Sequence, residues 1–277
     1  MSMKDFFSQI KTRRVFWIYF ACAFISILTV AFAFSYSEFD EELDFIFFLL
    51  NTLIVLWFWW KMKKLRFNRE KDIKKYIQWK EILFLLFFNI LFSLGISIFF
   101  SYLVANFFPG VIEWLLEESP ILLKKQWDVL VVSFLGTVLL GPVAEEFVFR
   151  GVMFNRFTKR WGPKVGIFIS SLLFGLVHGD PFIAVGAFVF GITLCVVYAK
   201  SHIIVPIIIH ILNNLFVFLI GIVDMYFNAE SGSITPEQMI AETERYGLTV
   251  GLPLVLVSSF FLFRYTKTNW PKIEKTV

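Results

Sequence analysis

Long apolar runs separated by short charged segments limit this chain to one class of structure. About 20 apolar residues cross the ~30 Å hydrocarbon core as a helix, since no water is present there to satisfy exposed backbone groups. Such runs recur at about 15–36, 45–60, 82–108, 129–149, 182–199, 203–227 and 247–264. A shorter run, Val165 to His178, would reach only ~21 Å as a helix at 1.5 Å per residue. The chain is 58% hydrophobic and holds 37 Phe, against ~45–50% apolar residues in soluble domains. The expected fold is all-α, a polytopic membrane protein of eight spans.

Charge gives the expected orientation. Lys4, Lys11, Arg13 and Arg14 precede the first span, and Lys61 to Lys80 is strongly basic. The loops Ser37–Asp44 and 228–246 are acidic. All of the 26 Lys and Arg except Lys124, Lys125 and Arg245 fall on one side of this arrangement. By the positive-inside rule that side, with both termini, is cytoplasmic, and Trp57 to Trp60 form an interfacial aromatic belt. The basic loop is therefore read as a topology signal, with the lipid bilayer as partner and no nucleic acid. Pro109–Asp128 reads as an amphipathic helix on the outer surface. Cys22 and Cys195 lie in apolar runs and offer neither a disulfide framework nor a CxxC pair. The first run is too long for the core of a cleavable signal. One membrane domain is expected, in three segments. They are 1–127 with the basic loop, 128–227 carrying the polar core in four helices, and 228–277 with an outer loop, the last span and a basic tail.

The polar residues of the middle segment are out of place in a bilayer. Gly141 to Arg150 puts Glu145, Glu146 and Arg150 at the end of an apolar run. A charge near the bilayer centre costs ~2.5–3.5 kcal/mol on insertion scales, so such groups are paired or functional. Glu146 and Arg150 are four residues apart, acid first, and share a helical face. Glu145 is turned about 100° away and has no local cation. Pro142 is expected to kink the helix or start a new segment, which then emerges into a basic loop counting Arg150, Arg156, Lys159, Arg160 and Lys164.

Two of the three histidines, His178 and His210, also fall in apolar runs, while His202 sits in a short turn and reads as solvated. His178 ends the short run, where Gly179-Asp180-Pro181 breaks the chain, with Asp180 as N-cap and Pro181 at the first helical position. Irregular backbone at that depth needs a protein-lined or water-filled cavity beside it. His210 and Asn214 share a face, with Asn213 adjacent. Ser171/Gly175 and Ala187/Gly191 are small pairs that allow close helix approach. A carboxylate with a histidine can deprotonate a water for attack on a carbonyl. A second histidine with an amide can donate to the oxyanion that forms. The set suits amide hydrolysis.

Three motifs, in order, carry a resemblance. Glu145-Glu146-Phe-Val-Phe-Arg150 is similar to the EExxxR motif of the CAAX protease and bacteriocin-processing (CPBP, or Abi) family of membrane endopeptidases. Phe174-Gly-Leu-Val-His178 resembles its FxxxH motif, and His210-Ile-Leu-Asn-Asn214 its HxxxN motif. The resemblance covers about 128–220. It implies a peptidase acting on a peptide or protein at the cell membrane. Prenylated CAAX peptides, peptide maturation and bacteriocin immunity are among the family's associations. It implies that Glu145 and His178 activate water, that His210 and Asn214 form the oxyanion site, and that Glu146 and Arg150 support them. No cofactor is expected. Zinc, on Glu145, His178 and His210, is the alternative, weakened by the lack of an HExxH pair.

Two other classes compete with the enzyme. A proton-relay transporter would show internal repeats, and none is evident. A non-catalytic membrane partner, for example a regulator of a sensor kinase, would use the same cavity without cleaving. The charge pattern itself is open to test. Single cysteines placed at Glu70 and Thr235 should label from opposite sides of the membrane, and labelling of both from outside would overturn the eight-span orientation.

Overall fold

The structure is a computed structural model describing residues 3–33, 42–65, 72–108, 110, 127–227 and 236–276. Most of the acidic loop at 37–44, most of the amphipathic segment at 109–128 and the first part of the outer loop lie outside these residues. Among the described residues every regular element is helical. They are α1 (Met3–Ser8), α2 (Thr12–Ala33), α3 (Glu42–Lys64), α4 (Trp79–Phe107), α5 (Trp127–Trp161), α6 (Pro163–Leu176), α7 (Pro181–Lys200), α8 (Ile204–Phe227), α9 (Pro236–Tyr246) and α10 (Leu252–Thr276). Among the described residues seven helical stretches are long and apolar enough to cross a membrane, and α6 is a shorter apolar helix beside them.

Two expected boundaries are corrected. α5 does not end near residue 149: it continues to Trp161, so Arg150 lies inside the helix and is completely buried. Pro142 neither breaks nor restarts it. The interruption is absorbed as wider π-helical turns at Phe134–Leu140 and Phe147–Phe154, on either side of an α-helical Gly141–Glu146. Such turns add a residue to the helical circuit and are how a helix accommodates a missing hydrogen bond. The described part of the outer loop is also helical. α9 passes through a π turn, Gly247–Gly251, into α10.

α7 is the central helix. It packs against α4, α6, α8 and α10, and Leu194, Cys195 and Val196 are wholly inaccessible. The small residues anticipated at its interface with α6 act as expected. A methyl group added at Gly175 would stand 2.7 Å from the Ala184 carbonyl oxygen, and one at Gly191 would stand 3.0 Å from the Ser171 side chain. Only glycine allows the two backbones this approach.

Polar ties lock the bundle at the end where the basic residues lie. Glu81 of α4 accepts from Lys200 of α7 and from the Tyr265 hydroxyl of α10. Lys4 of α1 donates to the Ala199 carbonyl at 3.0 Å and lies over the Tyr198 ring. His202 is not a solvated turn residue as the sequence implied. It is 9% exposed, stacks on Tyr76, and its Nδ1 accepts the Ile204 N–H at the start of α8.

Candidate active site

The site is built on α5, α6 and α8, where the polar residues of the three motifs converge. Glu146 is at its centre, with a fully inaccessible side chain. Its Oε1 accepts from Arg150 Nη1 at 2.8 Å, one turn along α5. The same oxygen faces His210 Nδ1 of α8 at 2.9 Å. A carboxylate oxygen accepts, so Nδ1 carries a proton and Nε2 is turned the other way. His210 Nε2 points toward Glu145 Oε2, 3.7 Å off, beyond hydrogen-bond reach. His210 therefore lies between two carboxylates that chain order alone makes neighbours.

The two acids differ sharply in their surroundings. Glu146 has a cation and an imidazole on one oxygen and no route to the surface. The Glu145 side chain is 24% exposed. The charged groups that act on it are His210, His178, Glu146 and Arg150.

Aromatic rings hold these groups in place. The guanidinium carbon of Arg150 lies 4.2 Å over the Phe174 ring. A desolvated cation on a π face gains about 2 kcal/mol. This contact matters because Arg150 Nε and Nη2 have no hydrogen-bond partner among the described residues. Phe174 also meets the rings of His178 and His210 edge to face, at 4.9 and 5.6 Å between centroids. Phe190 of α7 closes on His210 at 5.3 Å from another side.

His178 follows the last turn of α6, where its Nδ1 is 2.7 Å from the Phe174 carbonyl oxygen. A carbonyl can only accept, so Nδ1 bears the proton and Nε2 keeps its lone pair. That leaves a basic nitrogen on an exposed ring. Asn214 donates from Nδ2 to the Thr137 carbonyl of α5 at 2.8 Å, and its Oδ1 accepts from Asn213 Nδ2 at 3.3 Å. Asp180 accepts the Ala184 N–H through its backbone carbonyl at 2.8 Å as α7 begins at Pro181.

The structure thus brings Glu145, Glu146, Arg150, His178, His210 and Asn214 into one cluster. Sequence reasoning missed three of its contacts. Glu146 bonds His210 as well as Arg150, Phe174 is a ring platform as well as a motif letter, and Asn214 is tied to Thr137. Of the ring contacts, only that of Phe174 with His178 had a signal, in their four-residue spacing. Phe190 had none, being one of 37 phenylalanines. Among the described residues no group of three His, Cys, Asp or Glu side chains is placed to hold a metal. His210 Nδ1 and Asn214 Nδ2 face oxygens as donors.

Residues 127–216 match the family model described as Rce1-like, type II CAAX prenyl endopeptidase Rce1-like. The matched segment holds all three motifs and runs from α5 into α8. Over 82 residues the chain is 33% identical to the "Putative membrane peptidase YdiL" of Bacillus subtilis (strain 168), covering 29% of this chain and 34% of that protein. Over 89 residues it is 40% identical to the "Membrane-embedded CAAX protease MroQ" of Staphylococcus aureus (strain USA300), covering 29% of this chain and 36% of that protein. The matched part is thus about a third of the length of these relatives. No solved structure matches the chain.

The buried ion pair of Glu146 and Arg150 makes a definite prediction. Breaking such a pair from one side costs ~3–5 kcal/mol, because the partner charge stays behind without compensation. Arg150→Ala should therefore reduce the folded protein recovered from membranes and lower its melting temperature in detergent. Wild-type abundance and melting would show that Glu146 does not need its cation.

Proposed function

We propose that the chain is a membrane endopeptidase that hydrolyses a peptide bond with water activated by Glu145 and His178, without a metal. The observation that carries this reading is the asymmetry of the two acids. Glu146 is sealed in and engaged by Arg150 and His210, whereas Glu145 is partly open and stands 3.7 Å from His210 Nε2, beyond hydrogen-bond distance. One carboxylate builds the site and the other is available to react.

The chemistry follows from the atoms that are left over. A water held between the Glu145 carboxylate and His178 Nε2 gives up a proton as its oxygen attacks the peptide carbonyl carbon. The C=O π bond opens and the carbonyl oxygen becomes an oxyanion. His210, as the imidazolium gripped by Glu146 at Nδ1, donates Nε2–H to that oxyanion. The second N–H of the Asn214 amide donates beside it. Collapse of the tetrahedral intermediate breaks the C–N bond, and the proton taken from water passes to the leaving amine. General acid–base catalysis contributes about 10²–10⁴-fold, and each lost oxyanion donor costs about 10²–10³-fold in turnover.

The substrate class is a peptide that lies at or in the bilayer, prenylated at its C-terminus or otherwise apolar. Support comes from the mouth of the site. Leu176 and Val177, just before His178, are 61% and 65% exposed, so the reacting groups open beside an apolar wall. A membrane-anchored peptide reaches them without crossing water. The two curated relatives are named as a membrane peptidase and a CAAX protease, which is consistent with this class. Peptide maturation and bacteriocin self-immunity are the uses such cleavage would serve in a cell membrane.

Glu145→Gln keeps shape and removes the charge. It should leave abundance unchanged and lower turnover by ~10²–10⁴-fold, as should His178→Ala. The measurement compares peptides in membranes carrying the wild type or either variant, then follows cleavage of a peptide found that way by purified protein. Retention of full cellular function by either variant would replace the enzyme with a non-catalytic membrane partner. Loss of cleavage in chelator, restored by zinc, would replace the metal-free mechanism.

A further inference from the structure

Asn214 does more than face the reacting groups, because of where α5 loses a backbone hydrogen bond. Before Pro142 the helix is in π register. The Gly141 N–H bonds back five residues to the Gly136 carbonyl. The next carbonyl in line is that of Thr137. In α register its donor would be Gly141, already committed to Gly136. In π register its donor would be residue 142, a proline, which has no N–H. Either way, Thr137 O has no donor within its own helix. A carbonyl orphaned in an apolar bundle has no water to turn to and needs a partner.

That partner is on another helix. Asn214 Nδ2 of α8 donates to Thr137 O at 2.8 Å. The amide cannot be turned over without setting its own oxygen against the Thr137 carbonyl, and Asn213 Nδ2 holds Oδ1 in place at 3.3 Å. The Thr137 side chain does not compete, since its hydroxyl donates to the Ser133 carbonyl at 2.6 Å. On α8, Asn214 lies one turn beyond His210, which bonds Glu146. On α5, Thr137 and Glu146 bracket Pro142. Two bonds therefore tie the same pair of helices on either side of the proline.

We infer that Asn214 is a positioning residue for the Glu145–Glu146 turn, its amide supplying to Thr137 the hydrogen bond that Pro142 cannot make. The bond fixes the register of α5 where it changes from π to α. That register decides which way Glu145 and Glu146 point three and four residues later. One of the two amide N–H groups does this work, and the other stays available to the oxyanion. This role rests on the endopeptidase reading only for its consequence in turnover, since the clamp itself is a matter of helix geometry.

The test uses Pro142→Ala, which restores a backbone N–H able to reach Thr137 O. The cost of Asn214→Ala is measured twice in the full-length protein in detergent, once in the wild-type background and once in Pro142→Ala. The clamp predicts a clear drop in melting temperature from Asn214→Ala when proline is present, and a much smaller drop when the N–H is restored. Turnover on a cleavable peptide should follow, with Pro142→Ala/Asn214→Ala exceeding Asn214→Ala alone. Equal melting costs in the two backgrounds would overturn the clamp, and so would equal turnover losses. Should the wild type cleave nothing, the endopeptidase reading fails while the melting comparison still decides this one.

Discussion

A single carboxylate oxygen, Glu146 Oε1, organises this structure. It accepts from Arg150 within α5 and from His210 on α8, and both contacts are closed to solvent. Taking an acid and a base out of water costs several kcal/mol each, recovered only where geometry is good and the remaining polar atoms find partners. Here the recovery is incomplete by hydrogen bonds alone. Glu146 Oε2, Arg150 Nε and Arg150 Nη2 have no partner among the described residues. The Phe174 ring beneath the guanidinium supplies the attraction that hydrogen bonds leave out. Such a pair is weak evidence for stability and strong evidence for a fixed arrangement. It holds His210 at a set angle and tautomer, and it leaves Glu145 unclaimed.

The rest of the bundle can be understood as what lets that pair exist. α6 must come close enough for Phe174 to lie under Arg150, which requires the glycine contacts with α7. α5 must turn two adjacent acids toward different neighbours, which the π turns and Pro142 arrange. α8 must be tied to α5 at more than one level, by His210 to Glu146 and by Asn214 to Thr137. At the basic end, Glu81 gathers Lys200 and Tyr265, so α4, α7 and α10 are fastened by the same device of one acid serving two donors. Polar groups are few in this chain, and those that are buried tie helices together.

Much of this was legible in the sequence. Hydropathy marked the spans, because a bilayer admits only helices of sufficient length, and the short α6 stood out for the same reason. The four-residue spacings of Glu146/Arg150, Phe174/His178 and His210/Asn214 placed each pair on one face, and the first two pairs are in contact. What spacing cannot show is contact between helices. The bond from His210 to Glu146 depends on how α8 crosses α5, and that angle is set by packing, which a pattern of apolar residues leaves undetermined. By sequence Arg150 counts with the basic loop, because its apolar run is expected to end near residue 149. It is buried instead, since α5 runs on through two π turns that no propensity reveals. His202 misled for the opposite reason: a polar residue in a turn reads as solvated, yet the α1 and Lys74–Tyr76 segments pack at this end of the bundle, and Tyr76 stacks directly on the ring.

The central claim is that the polar partners fix which nitrogen of each site histidine faces the reaction. Nitrogen-15 NMR of the imidazole rings tests it directly. With only three histidines in the chain, each signal can be assigned by a single substitution. The account predicts, at neutral pH, a His178 ring protonated at Nδ1 with a bare Nε2, and a His210 ring whose Nδ1 carries a proton shared with a carboxylate. A His178 ring protonated at Nε2 with a bare Nδ1 would contradict it, since such a ring could neither hold the Phe174 carbonyl nor take a proton from water.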